Sequence, residues 1–360
     1  MYLALRDIRF AKGRFALMGS VVALITLLLV LLSGLTAGLG NQNTAAIKDL
    51  GSAGVDIVAF GAPEGGEAKV SYTESTVTAE QLAEWRKTPG IETAEPVGIT
   101  QTRITGGASA NVAVFGVEPG SKLAPRQIGD GQILIGSETA ESLSLDAGDE
   151  VRLGGRVLTV EDIVDQSYYS HTPLVWTSLA TWQAAAHTND EGSDAAPVAT
   201  VIAASGSAAE QADDAAGTVS TGIRGSFNGL GAYTSENGSL LMMQAFLYGI
   251  SALVIVAFLA VWTIQRTRDI AVLKALGGSS AYLMRDALAQ AGVIVAAGAV
   301  TGGVLAVLIG LAAAAVAPFI LTVSTALLPI LGIVVLGLAG AAGAVRRVAK
   351  VDPLTALGGN

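Results

Sequence analysis

One carboxylate, Glu236, stands four residues before a long uncharged segment. On a helix, Leu240, Met243 and Leu247 would follow it at intervals of four, seven and eleven residues and so would share its face. An acid at a membrane edge is costly unless it is solvated or paired, and such groups often mark function. An anionic or metal-binding head above a flat apolar wall suits an amphiphilic ligand. The alternative is a solvated acid near a helix N-terminus, where the helix dipole stabilises its charge.

The composition is that of an integral membrane protein, with 51% hydrophobic and 14% charged residues and a mean hydropathy of +0.55. A transmembrane helix needs about 20 apolar residues. Four segments without charge meet this length, and the last two are separated near Pro318. The sequence therefore predicts four transmembrane helices, at 15–39, 240–264, 287–317 and 321–345.

The first of these segments contains Gly34 and Gly38, a pair of small residues that permits close helix contact and favours a homodimer. Leu35 and Leu39 lie on the same segment. Across a two-fold axis they would form the opposite wall of the Glu236 site.

Charge is divided unevenly along the chain, whose net charge is −9. Residues 40–239 contain 10 basic and 26 acidic residues, whereas the remainder contains 11 basic and 4 acidic residues. Short basic segments stay on the cytoplasmic side of a membrane. We therefore expect both termini in the cytoplasm and residues 40–239 outside it. The acidic balance also argues against nucleic acid as a partner.

Residues 40–239 have the pattern of an α+β domain, with β-rich runs bounded by Gly, Pro or Asp. Thr78 is the predicted N-cap of a helix that ends at Lys87, and a second short helix is predicted from Ser137 to Leu145. Residues 187–216 are rich in small and polar residues, and we expect them to be the least structured part of the domain and to include a loop. The predicted strands are Val55 to Phe60, Asn111 to Val117, Gln132 to Ile135 and Glu150 to Val164.

Catalytic chemistry has little support in the sequence. The chain has no cysteine and two histidines, and it lacks a G-x-S-x-G nucleophile motif. It also lacks the G-x-x-x-x-G-K-[ST] loop that binds nucleotide phosphates. We therefore predict no catalytic residue, no resident metal or cofactor, and no nucleotide-binding site in this chain.

Two basic segments flank the membrane spans. Residues 1–14 predict a basic interfacial helix, and residues 346–360 predict a cytoplasmic tail. Residues 265–286 predict a short amphipathic helix on the cytoplasmic surface, because apolar residues recur there at helical spacing among charged ones. The charged residues between Ile264 and Ser280 are Arg266, Arg268, Asp269 and Lys274.

This loop, with its sequence R-D-I-A-V-L-K-A-L-G-G, resembles the coupling loop of permeases in the MacB/FtsX family of ABC transporters. The phrase L-D-A-G-D-E-V-R-L-G-G and the ending V-D-P-L-T-A-L also resemble that family, although the family's final Arg is missing. The resemblance implies one helix, a large external α+β domain inserted between helices 1 and 2, and three further helices. It also implies two permease copies paired with two ATPase subunits, coupled through Arg266, Arg268, Asp269 and Lys274.

The phrase S-H-T-P-L-V-W resembles the haem-exporter permeases of this family, which implies haem as the substrate, expelled outward from the membrane by mechanotransmission. Haem needs an axial ligand. Glu236 is the first candidate for the iron ligand, and Tyr168 and His171 are weaker ones, because packing and structural hydrogen bonding also explain them. His187 and the Met242–Met243 pair are the remaining candidate ligands for the haem iron, although a solvated loop and core packing also explain them. There are two alternatives. The chain could export another amphiphile, such as a lipid, peptide or drug, or it could be an FtsX-like permease that activates an external cell-wall hydrolase.

Overall fold

The computed structural model describes residues 12–63, 65–186, 197–265 and 280–349. The chain divides into two compact units. The membrane unit comprises Met1–Gly38 and Gly238–Asn360, and the β-rich unit comprises Leu39–Asn237. The predicted coupling residues, His187 and most of the two basic terminal segments lie outside the described residues.

The helices within the described ranges are numbered here in chain order, and a short 3₁₀ turn at Phe227–Gly229 follows the sixth. Their bounds are α1 Lys12–Ser52, α2 Ala79–Lys87, α3 Ser137–Leu143, α4 Leu179–Ala185, α5 Ala209–Ala216, α6 Ile223–Ser226, α7 Gly231–Gln265, α8 Ser280–Ala313 and α9 Val323–Ala349.

Four of these helices, α1, α7, α8 and α9, are long and apolar enough to cross a membrane, with hydropathies from 2.1 to 2.8 over the part of the chain that is described. The prediction of four transmembrane helices is confirmed. The first and second helices are longer than the predicted spans: α1 continues to Ser52 and α7 already begins at Gly231. Pro329 lies inside α9, as its early position in the fourth span predicted.

Glycines bring α1 and α8 into close contact within the membrane unit. A Cβ atom at Gly298 would lie 2.7 Å from the carbonyl oxygen of Gly19, and one at Gly302 would lie 2.1 Å from that of Ala23. Small residues let two backbones approach in this way when van der Waals packing is the main source of association in lipid.

The Gly34–Gly38 face of α1 is covered by the chain itself. A Cβ at Gly34 would lie 2.3 Å from the ring of Phe319, and one at Gly38 would lie 1.8 Å from the carbonyl oxygen of Pro318. The Ile320 N–H also donates to the Gly34 carbonyl oxygen at 3.1 Å. The interpretation of this pair as a homodimer contact is therefore corrected: the segment between α8 and α9 packs there.

The strands of the β-rich unit form one ten-stranded sheet and a separate two-stranded pair, β10 with β2. Their bounds are β1 Ile57–Phe60, β2 Val77–Thr78, β3 Ile91–Thr105, β4 Ser109–Val117, β5 Gln132–Gly136, β6 Glu150–Leu153, β7 Arg156–Val164, β8 Tyr168–Tyr169, β9 Thr172–Ser178, β10 Pro197–Ala199, β11 Val201–Gly206 and β12 Val219–Gly222.

Strand β3 pairs with both β4 and β6, so that β3, β4, β9, β5, β7 and β6 close into a ring. Three further strands extend from the first half of β3 in the order β11, β1, β12, and the short strand β8 pairs with β9. The prediction of an α+β domain is confirmed.

Three buried clusters hold the β-rich unit together. One fills the ring, with Trp182 of α4 packed against its strands, and another lies between the open strands and helices α2 and α5. The third joins the end of α1, through Ile47 and Leu50, to Phe60, Phe115 and other aromatic side chains. The end of α1 is therefore part of the core of this unit rather than a linker.

Two parts of the sequence interpretation were wrong or incomplete. Residues 197–216 belong to the range that was expected to be the least structured, but they form β10, β11 and α5. The rest of that range, 187–196, lies outside the described residues. Small residues suit these elements because Ala203, Ala204 and Ala212 are buried in tight packing. The long strand β3 was not predicted, because Pro96 and Gly98 interrupt its alternation of apolar and polar residues. In the fold, Gly98 leaves room for the ring of Trp182, which packs directly over it.

Helix α2 begins with a capping box that the sequence predicted in part. The Thr78 hydroxyl accepts from the Gln81 N–H at 3.2 Å, and the Gln81 side-chain oxygen accepts from the Thr78 N–H at 3.1 Å. Thr78→Ala should remove one cap bond and destabilise the chain by about 1 kcal/mol. In thermal denaturation of the purified chain, the melting temperature should fall by about 2–4 °C. Thr73→Ala, an exposed control, should melt like the wild type, and equal melting of both variants would contradict the prediction.

Candidate functional site

The candidate site is a cluster of polar side chains in the β-rich unit, contributed by three elements. Helix α1 contributes Gln42 and Asn43, the turn between β8 and β9 contributes His171, and the first turns of α7 contribute Glu236. The sequence analysis named Glu236 and His171 as separate candidates. The structure brings these two together.

The turn that carries His171 has an unusual backbone. Tyr169 pairs with Thr172, which leaves Ser170 and His171 as a two-residue hairpin loop. Their φ angles are +49° and +63°. Two-residue hairpin loops of type I′ need positive φ at both central residues and usually contain Asn, Asp or Gly there. Non-glycine residues in this region cost of order 1–3 kcal/mol each and persist only when their surroundings fix them.

Backbone hydrogen bonds to α1 fix this turn. The Ser170 N–H donates to the Asn43 carbonyl oxygen, and the His171 N–H donates to the Gln42 carbonyl oxygen, both at 3.1 Å. Two successive carbonyl groups of the helix thus bind the two successive residues of the turn. This docking sets the position of the His171 ring.

The ring of His171 contacts the carboxylate of Glu236 directly. Its Nε2 lies 2.9 Å from Oε1 and 2.8 Å from Oε2, so Nε2–H is the donor in this interaction. The other ring nitrogen, Nδ1, lies 3.3 Å from the side-chain oxygen of Gln42. The side chains of His171 and Glu236 are 29% and 38% exposed, so the carboxylate is held in place yet open to a ligand.

Asn43 is the buried member of the cluster. It is 1% exposed, and its Nδ2 lies 3.0 Å from Glu236 Oε2, 3.0 Å from His171 Nε2 and 3.2 Å from the Leu39 carbonyl oxygen. Its Oδ1 is buried without a hydrogen-bond partner among the described residues. A buried unsatisfied oxygen is costly, so Asn43 destabilises the fold at this atom. Asn43 and Gln42 were not among the predicted site residues, although two amides just beyond the long apolar segment of α1 were a usable signal.

Tyr168 lies apart from the cluster and donates a hydrogen bond to Glu138 of α3. Burial, this hydrogen bond and the charge of Glu138 raise the pKa of Tyr168 to about 12. The neighbouring Tyr169 is buried edge-to-face against Tyr72 and Phe115. The structure therefore does not bring Tyr168 to Glu236.

The predicted apolar wall residues have different environments. Within helix α7, Leu240 is buried, Leu247 packs against the core of the membrane helices, and Met242 and Met243 are 61% and 47% exposed. On α1, Leu35 and Leu39 are half-buried. The stripe that shares a face with Glu236 is thus covered by protein at two of its three positions.

A second polar contact occurs deeper in the membrane unit. The side-chain amide of Gln244 donates to the Thr36 hydroxyl at 3.2 Å, and this hydroxyl donates to the Leu32 carbonyl oxygen at 2.7 Å. Gln244 follows Glu236 by eight residues on α7. Within the membrane unit, helices α1 and α7 therefore make a polar contact through Thr36 and Gln244.

Comparison with known proteins matches nearly the whole chain. The profile of the MacB-like periplasmic core domain matches residues 15–219, and that of the FtsX-like permease C-terminal region matches residues 239–353. A permease named for a hemin transport system, HrtB of Staphylococcus epidermidis, is 25% identical over 365 residues, covering 100% of this chain and 99% of its own. An uncharacterised ABC transporter permease of Mycobacterium bovis is 27% identical over 375 residues with the same coverage.

Among solved structures, the periplasmic region of MacB from Actinobacillus actinomycetemcomitans covers 48% of this chain and 90% of its own, with 9% identity and a TM-score of 0.36. Four apolar helices and a periplasmic-type domain make this chain a multi-pass plasma-membrane protein with an extracytoplasmic segment. Because the first profile alone spans more than half of its length, the chain belongs to the MacB/FtsX family of ABC transporter permeases.

Proposed function

We propose that this chain is the permease of an ATP-driven efflux pump that expels haem, with the carboxylate of Glu236 as the ligand for the haem iron. The observation that carries the proposal is the Glu236 carboxylate, which is partly exposed and is held in place by contacts with His171 and Asn43. Glu236 lies on α7, the helix that also forms the second span. The name of the Staphylococcus epidermidis relative gives independent support for haem as the substrate class.

The chemistry of the site suits a flat apolar molecule with a metal centre. A carboxylate is an acceptor-only, anionic group that can bind a ferric iron, and imidazole is a common iron ligand. His171 Nε2 is already bonded to Glu236, so in this arrangement it orients the carboxylate rather than offering a free lone pair. Binding of haem would exchange this hydrogen bond for an iron–oxygen bond.

In the proposed transport cycle, one end of α7 leads to the coupling loop and the other end carries Glu236. ATP binding in a partner subunit would move the loop that contains Arg266, Arg268, Asp269 and Lys274, and this loop directly follows Gln265, the last residue of α7. Because Asn43 and the His171 turn hold the other end of α7 to α1, a shift of either helix would change the Glu236 contacts. We further infer that two copies of this permease work with two ATPase subunits, and that this chain hydrolyses no nucleotide itself.

A haem titration of the purified permease–ATPase complex tests the proposal, with the Soret band as the readout. We expect saturable, stoichiometric binding with a shifted Soret maximum. Iron-free protoporphyrin IX should bind more weakly, because the carboxylate would have no metal to bind. The absence of saturable haem binding would reject haem as the substrate and favour another amphiphile or a signalling role.

Tyr168→Phe should leave haem binding unchanged. Tyrosine binds iron as a phenolate, and a pKa raised to about 12 keeps Tyr168 protonated and neutral between pH 6 and 9. The same titration at pH 6 to 9 should therefore give the wild-type Soret maximum and affinity. A loss of binding in this variant, with normal elution of the complex in size exclusion, would instead assign Tyr168 as the ligand.

A further inference from the structure

The contacts of the Glu236 carboxylate are those of an ionised group. Two N–H groups reach its Oε2 atom: Nε2 of His171 lies at 2.8 Å and Nδ2 of Asn43 lies at 3.0 Å. A protonated carboxyl group needs an acceptor for its O–H, whereas an ionised carboxylate only accepts hydrogen bonds. Because both neighbours donate, the side chain of Glu236 carries its negative charge in this arrangement.

Among the described residues, no lysine or arginine forms an ion pair with the Glu236 carboxylate. Its ion-pair partner in that part of the chain is His171, and a neutral imidazole already supplies the N–H that the contact requires. Asn43 is uncharged and buried. With His171 neutral, the cluster therefore carries one uncompensated negative charge.

Both ring nitrogens of His171 have partners inside the cluster. Nε2 contacts the carboxylate, and Nδ1 lies 3.3 Å from the side-chain oxygen of Gln42. The turn that carries the ring is fixed, because the His171 N–H donates to the Gln42 carbonyl oxygen at 3.1 Å. Imidazole is the ligand of haem iron in globins and peroxidases. In this cluster, however, the group that offers free lone pairs to a metal is the carboxylate.

The charge of the metal centre distinguishes the two oxidation states of haem. The porphyrin ring binds iron as a dianion, so the ferric centre keeps one positive charge and the ferrous centre keeps none. The two propionate groups carry the same charge in both states and do not contribute to the difference. An anionic oxygen ligand therefore gains an electrostatic attraction from ferric haem that ferrous haem does not offer.

Partial burial strengthens this discrimination. The side chain of Glu236 is 38% exposed, so its charge is screened less than that of a carboxylate in free solution. With ferric haem, the carboxylate and the metal centre form a neutral pair. With ferrous haem, the complex would keep the uncompensated negative charge in a partly buried site, which is unfavourable.

We propose that the Glu236 site selects metalloporphyrins by the charge of the metal centre, so that it binds ferric haem and rejects ferrous haem. This inference rests on the proposed function, because it takes Glu236 as the iron ligand. On binding, the ferric iron loses a bound water molecule and gains a bond to one carboxylate oxygen of Glu236, and the hydrogen bond from His171 to that oxygen breaks. No electron is transferred in this exchange.

Two redox-inert analogues of haem test the selectivity. Gallium(III) and zinc(II) protoporphyrin IX share the ring and both propionate groups, but only the gallium centre keeps a positive charge. Each analogue is titrated into the purified permease–ATPase complex, with fluorescence as the readout and protein-free micelles as the blank. We expect the gallium compound to bind at least about tenfold more tightly, which corresponds to about 1.4 kcal/mol. Anaerobic haem titrations with and without dithionite should show the same preference for the ferric state.

Variants of Glu236 test whether the preference comes from its charge. Glu236→Asp keeps the negative charge and should keep the preference for gallium, whereas Glu236→Gln should bind both analogues weakly and equally. Glu210→Gln, which removes an acid of α5 outside the cluster, should behave like the wild type.

Three outcomes would overturn the inference. Equal affinity of the wild type for the gallium and zinc compounds, with haem binding intact, would reject the selectivity and leave the proposed function standing. A preference for gallium that survives in Glu236→Gln would show that another group discriminates between the metal centres. If the wild type binds no metalloporphyrin, haem included, the proposed function fails and the inference fails with it.

Discussion

Glu236→Gln is expected to abolish stoichiometric haem binding by the permease–ATPase complex. The amide keeps the size of the side chain but removes the negative charge, and it is a poor ligand for ferric iron. Loss of the ligand should weaken binding by at least about tenfold, which corresponds to about 1.4 kcal/mol. A Soret titration of the variant should then show an unshifted, non-saturating signal.

Two control variants separate the role of the carboxylate from that of its neighbours. His171→Ala removes the group that orients Glu236 but leaves the carboxylate, so haem binding should persist. Glu210→Gln removes an acid from the first turn of α5, away from the cluster, and should bind like the wild type. Retained binding in Glu236→Gln together with lost binding in His171→Ala would transfer the ligand role to the imidazole.

Gly38→Ala is expected to be the most damaging small substitution in the membrane unit. A Cβ at this position would lie 1.8 Å from the Pro318 carbonyl oxygen and 2.9 Å from the Phe319 amide nitrogen. Both contacts are to backbone, so the segment between α8 and α9 must move away from α1. Overpacking of this kind costs about 1–3 kcal/mol, and the Ile320 hydrogen bond to Gly34 would be lost with it.

Gly40→Ala is the matched control on the same helix, because a Cβ at Gly40 has no neighbour within 4 Å. Alanine has the higher helix propensity by about 1 kcal/mol, so this variant should be as stable as the wild type or more so. We expect the melting temperature of detergent-purified Gly38→Ala to fall by about 5 °C at a fixed scan rate. Equal melting temperatures of the two variants would show that close packing of residues 318–320 against Gly38 does not contribute to stability.

The membrane architecture was predictable from the sequence because hydrophobic length and charge are one-dimensional properties. A helix in lipid must satisfy its own backbone and present apolar side chains over about 20 residues, and this requirement can be counted along the chain. The bounds of α1 and α7 were less accessible. Both helices continue beyond the apolar segments, where α1 packs through Ile47 and Leu50 into a core that is formed by distant strands.

In the β-rich unit, too, some features could be predicted from the local sequence and others could not. The cap at Thr78 and the strands with regular alternation were predicted, since these depend on neighbouring residues. The closure of the ring through β3 and β6 depends on pairing between Ile104 and Leu153, 49 residues apart, and no local pattern encodes it. Strand β3 itself has Gly98 under Trp182, so a residue that interrupts the pattern locally is required by a tertiary contact.

The sequence by itself determined that this chain is a four-span permease of the MacB/FtsX family and that Glu236 stands alone at the edge of an apolar helix. Only the tertiary structure decided that His171, 65 residues earlier in the chain, and Asn43, 193 residues earlier, contact that carboxylate. The physical reason is the docking of a strained hairpin turn onto two carbonyl groups of α1, which fixes the ring of His171. Such a contact depends on how a strand pair packs against a helix, and the order of residues along the chain does not specify that.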